Sequence, residues 1–166
     1  MTDAGAELLE LFDRALPQVY GYLLTRCGVV GVAEDLTAET FLAAADAVAR
    51  DDPPEVNIPW VVGVARHKLV DHWRRRSREE RLLETLQSEQ AVPEDPWDAQ
   101  LDGLRARQTL ARLGPHHRMA LTLRYVDDLP VADVAASLDR TLHATEALLV
   151  RARAAFRHVY LESCDG

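Results

Sequence analysis

From Trp60 to Arg78 the chain reads WVVGVARHKLVDHWRRRSR. Ile58, Val61, Val62, Ala65, Leu69 and Trp73 recur at intervals of three and four, which predicts one apolar face of an α-helix. The opposite face carries Trp60, His67, Asp71, Arg74 and Arg78. This segment has to bury an aliphatic stripe while presenting basic side chains, and an aromatic ring, away from the core. Cationic and aromatic groups on one exposed face suit a nucleic-acid backbone and unstacked bases. A merely solvated Arg run is the rival reading of this stretch taken alone.

The formal net charge of −8 argues against a nucleic-acid partner until it is resolved along the chain. Residues 1–56 hold 3 basic and 11 acidic side chains, and residues 57–81 hold 7 basic and 3 acidic. Residues 82–100 hold 5 acidic and no basic side chains, and residues 101–161 hold 9 basic and 6 acidic. Two basic islands are thus separated by an acidic strip, a pattern that the overall charge conceals.

Apolar spacing predicts a helix over residues 4–26 through Leu8, Leu9, Phe12, Leu16, Val19, Tyr20 and Leu23, with Pro17 kinking or splitting it. A second helix is predicted from about Val32 to Ala49, with Leu36, Phe41, Leu42, Ala45 and Val48 inward and Glu34, Asp35, Thr37, Glu39 and Thr40 on the other side. Three prolines make Asp51–Pro59 a loop, and Asn57 is placed to cap the helix that follows. Ser88–Asp98 carries two prolines and four acids and reads as a linker. Four helices are expected beyond it, lined by Leu101, Leu104, Leu110 and Leu113, then by Met119, Leu123 and Val126, then by Val134, Ala135 and Leu138. On the last, Leu142, Thr145, Leu149, Ala152, Phe156 and Val159 share a face opposite His143, Ala147, Val150, Arg151 and His158. A short helix, a tight turn at Asp139–Thr141 and a longer helix form a helix-turn-helix pattern. The expected fold is all-α. It has two small helical domains, 1–81 and 101–166, joined by an acidic linker at 82–100.

No run approaches the roughly 18 consecutive apolar residues of a membrane helix, and the acidic N-terminus lacks a secretory h-region. Cys27 and Cys164 form neither a metal-ligand spacing nor a disulfide framework. The expectation is a cytoplasmic protein without cofactor, metal or membrane insertion. No HExxH, CxxC, phosphate-binding glycine loop or nucleophile elbow occurs, so catalysis is not expected.

Three strings carry a resemblance. AEDLTAETFLAA (33–44) is similar to the AEDLTQETF string of the extracytoplasmic-function group of bacterial RNA polymerase sigma factors. The segment from Trp60 to Arg78, and the stretch from Ala111 to Arg153, resemble that family's next two segments in the same order. The resemblance implies a sigma-2-like domain, a linker and a sigma-4-like helix-turn-helix. In such proteins the AEDLT helix docks on the clamp helices of the polymerase's largest subunit, which implies core contacts by Asp35, Leu36, Thr37, Glu39, Thr40 and Phe41. It further implies that Asn57, Trp60, Arg66, His67, Arg74 and Arg75 serve the −10 promoter element, where a base is flipped from the stack. Arg140, His143, Ala147, Val150 and Arg151 would then serve the −35 element. The implied partners are core RNA polymerase, through its clamp helices and flap, promoter DNA and an anti-sigma protein. The sequence departs from the family where Glu146 replaces a basic residue and Leu148 replaces an arginine. A helix-turn-helix regulator that never touches polymerase is the alternative, and it would not require the AEDLTAETF helix.

Overall fold

A computed structural model describes residues 3–83 and 103–163. The acidic linker, Trp97 within it, Leu101 and Cys164 lie outside the described residues. Among the described residues the chain is helical, with seven α-helices and no strand. They fall into two compact units, Met1–Asp71 and His72–Gly166, and the division passes through the third helix.

In the first unit α1 (Asp3–Cys27) packs along α2 (Val30–Val48). Helix α1 buries Ala4, Leu8, Leu11, Ala15, Val19, Leu23 and Cys27, a line spaced by three and four. It runs unbroken through Pro17. A proline removes one amide donor, and Ala15 and Val19 on either side keep the helix anchored through the buried face. Leu9 is exposed, and Phe12 and Leu16 sit at the edge, so these three are not the core line that spacing alone suggested. Gly28, with φ of 72°, ends α1 in the left-handed conformation, and its amide bonds the Leu24 carbonyl.

Helix α2 is rotated relative to the expected assignment. Its buried line is Ala33, Leu36, Thr37, Thr40, Ala44 and Val48. Leu42 is 67% exposed and Ala45 is also exposed. Thr37 and Thr40 face inward because each hydroxyl donates to the carbonyl one turn back, Ala33 at 2.6 Å and Leu36 at 2.7 Å. A threonine satisfied by its own helix buries its methyl group at little polar cost.

Helix α3 (Ile58–Leu83) begins at the expected cap: the Trp60 amide donates to Asn57 Oδ1 at 2.9 Å. Val61, Ala65, Leu69 and Trp73 are buried as the spacing predicts, joined by Val70 and Ser77.

In the second unit α4 (Gly103–Arg112), α5 (Pro115–Leu121) and α6 (Val131–Leu138) each pack on α7 (Leu142–Glu162). One π turn over Thr122–Val126 extends α5. Met119 and Leu123 are buried, whereas Val126 and Leu104 are exposed, against expectation. Asp139 closes α6 in the left-handed conformation with φ of 52°. The turn then hands over to Thr141, whose hydroxyl accepts from the Ala144 amide at 3.1 Å and caps α7. Helix α7 buries Thr145, Leu148, Leu149, Ala152 and Phe156, while Leu142 is exposed. At its far end Arg105 of α4 lies over the Tyr160 ring, 4.1 Å from the centroid, and donates to the Tyr160 carbonyl.

Candidate functional site

Three surfaces carry the candidate residues. The first is the outward side of α2. Asp35 is exposed and Glu39 half-buried, and a helix of 3.6 residues per turn aligns them with exposed Leu42 and Asp46. This stripe combines carboxylates with one large exposed apolar side chain. Thr37 and Thr40 do not belong to it. They were expected among its polar groups, but both side chains are buried, and Thr37 instead lines the groove between α1 and α2. Leu36 is buried beneath the stripe. Phe41 is half-buried and meets Phe12 edge-on, with ring centroids 4.8 Å apart. The two rings line an apolar groove of about 490 Å³ between α1 and α2, which Leu16, Tyr20, Ala38 and Glu34 also border. Leu42 and this groove were not legible as surface features, because apolar spacing does not distinguish a core side chain from an exposed one.

The second surface is the N-terminal loop and outer face of α3. Asn57 and Trp60 stand together at the helix start, joined by the capping bond. That bond occupies the Asn57 carbonyl oxygen and fixes the side chain's orientation. Farther along, His67 and Arg75 are exposed, and Arg66 and Arg74 are half-buried. The Arg74 guanidinium donates to the Ser137 carbonyl at the end of α6.

The third surface is the outer side of the helix-turn-helix. His143 and Glu146 are exposed on α7, and Ala147 and Val150 are half-buried between them and the interior. Arg140 precedes the helix and Arg151 lies two turns along it, both half-buried. Other arginines of this unit serve the fold. Arg124 donates to the Leu129 carbonyl at 3.2 Å, and Arg153 donates to the Tyr125 hydroxyl at 3.2 Å.

Arg151 also acts on α5. The His117 pKa is lowered from 6.5 to about 4, first by burial, then by the charges of His116 and Arg151. The two histidine rings lie 4.1 Å apart. The unfolded chain therefore holds a proton on this residue, between about pH 4 and 6.5, that the folded chain lacks. Stability contributed by neutral His117 is complete above pH 6.5 and declines as pH falls toward about 4. Urea unfolding at about pH 7 and about pH 4.5 is expected to show a smaller acid loss in His117→Gln than in the parent chain. Equal losses would mean that the ring titrates normally.

No group of three or more His, Cys, Asp or Glu among the described residues is arranged to hold a metal ion. No helix among them is long and apolar enough to cross a membrane.

Comparison with known proteins places two family regions along the chain. Residues 11–79 match the Sigma-70 region 2 family and residues 103–156 match Sigma-70, region 4. The chain is 31% identical to the ECF RNA polymerase sigma factor BldN of Streptomyces coelicolor, over 86% of this chain and 56% of BldN. It is 30% identical to the ECF RNA polymerase sigma factor SigC of Mycobacterium tuberculosis, over 87% of this chain and 79% of SigC. The fold is similar to that of the sigma factor RpoE of Bartonella quintana, solved in complex with the anti-sigma factor NepR. That likeness has a TM-score of 0.53 and 20% identity, and covers 91% of this chain and 94% of the other. Two sigma-70 regions in their proper order, and relatives of the same kind along most of the chain, place it in the sigma-70 family, in the extracytoplasmic-function group.

Proposed function

We propose that the protein is a dissociable promoter-specificity subunit of RNA polymerase. It binds the core enzyme, opens the −10 element and holds the −35 element. It performs no catalysis itself and leaves the chemistry to polymerase in the cytoplasm. The observation that carries this reading is the pairing of a region 2 match with a region 4 match on one chain. A free-standing helix-turn-helix regulator needs only the second.

On this reading residues 1–81 dock to the clamp helices and serve the −10 element, residues 82–100 thread the core enzyme, and residues 101–166 serve the flap and the −35 element. Asp35 and Glu39 meet basic residues of the clamp, with Leu42 added as an apolar contact. Asn57 and Trp60 receive the flipped base, and Arg66, His67, Arg74 and Arg75 hold the adjoining backbone. His143, Ala147 and Val150 face the −35 groove, with Arg140 and Arg151 on phosphates. An anti-sigma partner is supported by the complex in which the structural relative was solved. Run-off transcription with core polymerase on genomic promoter fragments tests the whole reading. Promoter-dependent transcripts are expected, and failure of both transcription and core binding would refute it.

The Asn57 cap allows a finer test. Asn57→Ser keeps a capping oxygen but loses the amide donors. Its folding stability is expected to stay within about 0.5 kcal/mol of the parent, while promoter opening falls about tenfold. Parental opening by this variant would remove Asn57 from base recognition.

A further inference from the structure

We propose that the second unit holds a binding site for a small phosphate-bearing anion. Between the end of α3 and the α6–α7 turn lies a polar cavity of about 380 Å³. Arg74 and Arg78, one turn apart on α3, line it with Ser77, and Arg140 lines it from the α6–α7 turn. Met119 and Leu138 provide its apolar lining. The volume falls within the range of small-molecule pockets, and such pockets characteristically combine apolar walls with a few convergent polar groups.

Guanidinium groups present planar sets of N–H donors that match phosphate oxygens two at a time. Three converging on one cavity suit an anion with more than one phosphate oxygen to share, such as pyrophosphate or the polyphosphate of a nucleotide. Arg74 is oriented by its bond to the Ser137 carbonyl, which reduces the ordering cost of binding. Asp139 also borders the cavity and opposes an anion. Three guanidinium groups against one carboxylate leave the lining net cationic. Arg74 and Arg140 are shared with the DNA contacts of the proposed function, whereas Arg78 is not, and the test needs no polymerase.

The full chain is titrated with pyrophosphate, ATP and adenosine, followed by calorimetry and by amide NMR shifts. Saturable binding of pyrophosphate and ATP is expected, with none for adenosine. Equal affinity of the first two assigns recognition to the phosphates alone, and tighter ATP binding assigns it to a nucleotide. Arg78 is exposed, so Arg78→Ala is expected to fold normally and to weaken binding at least about tenfold. Arg107→Ala, an equal charge loss on the exposed face of α4, is expected to change it less than about twofold. The proposal is overturned if neither phosphate compound saturates below about 5 mM. It is equally overturned if adenosine binds as well as ATP, or if both variants weaken binding to the same degree.

Discussion

Asp35→Arg is expected to lower affinity for core RNA polymerase at least about thirtyfold while leaving the fold intact. Asp35 is exposed on α2, so the substitution disturbs no packing, and surface changes of this kind shift stability by about 0.5 kcal/mol or less. Removing one member of a charge pair that becomes desolvated in a complex costs about 2–5 kcal/mol, and reversal adds repulsion. Leu42→Asp is expected to act in the same direction, because Leu42 is 67% exposed on the same stripe and offers apolar area to the partner. Thr37→Val and Thr40→Val supply the contrast. Both hydroxyls are spent on the carbonyls of Ala33 and Leu36, so affinity for core should stay within about twofold of the parent. Calorimetry or pull-down with purified core separates these outcomes. Undiminished binding by Asp35→Arg would move the docking surface away from α2.

These contrasts also mark where the sequence was readable. Helix positions, the Asn57 cap and the turn before α7 all follow from local chemistry that one chain carries within a few residues. The inward line of α3 was likewise legible, because Val61, Ala65, Leu69 and Trp73 are all apolar and regularly spaced. Helix α2 was misassigned at Thr37, Thr40, Leu42 and Ala45 for a single reason. Polarity alone does not set facing: a threonine that bonds its own backbone faces inward here, and Leu42 faces outward. Leu9, Val126 and Leu142 repeat the second error. The arginines show a third limit. Arg105, Arg124 and Arg153 bond to Tyr160, Leu129 and Tyr125, contacts that no local spacing reveals. Only tertiary structure shows which arginines tie parts of the fold together.

Leu148→Arg is expected to destabilise the second unit by at least about 3 kcal/mol. The substitution restores the residue type that the family resemblance led one to expect, and it tests why this chain differs. Leu148 is 1% exposed and lies on the inner side of α7 beside Thr145, Leu149 and Ala152. Truncating such a leucine to alanine alone costs about 2–5 kcal/mol. A guanidinium in its place must be desolvated without a designed partner, or must push the helix outward and forfeit the packing of its neighbours. Loss of amide-exchange protection should concentrate in α5 through α7, while α1 and α2 keep theirs, since the first unit contains no part of that core. Leu148→Met conserves volume and polarity and should cost less than about 1.5 kcal/mol. The opposite result is equally informative. If Leu148→Arg keeps parental stability and binds −35 DNA more tightly, residue 148 faces the duplex in solution, and the recognition face of α7 has to be redrawn around it.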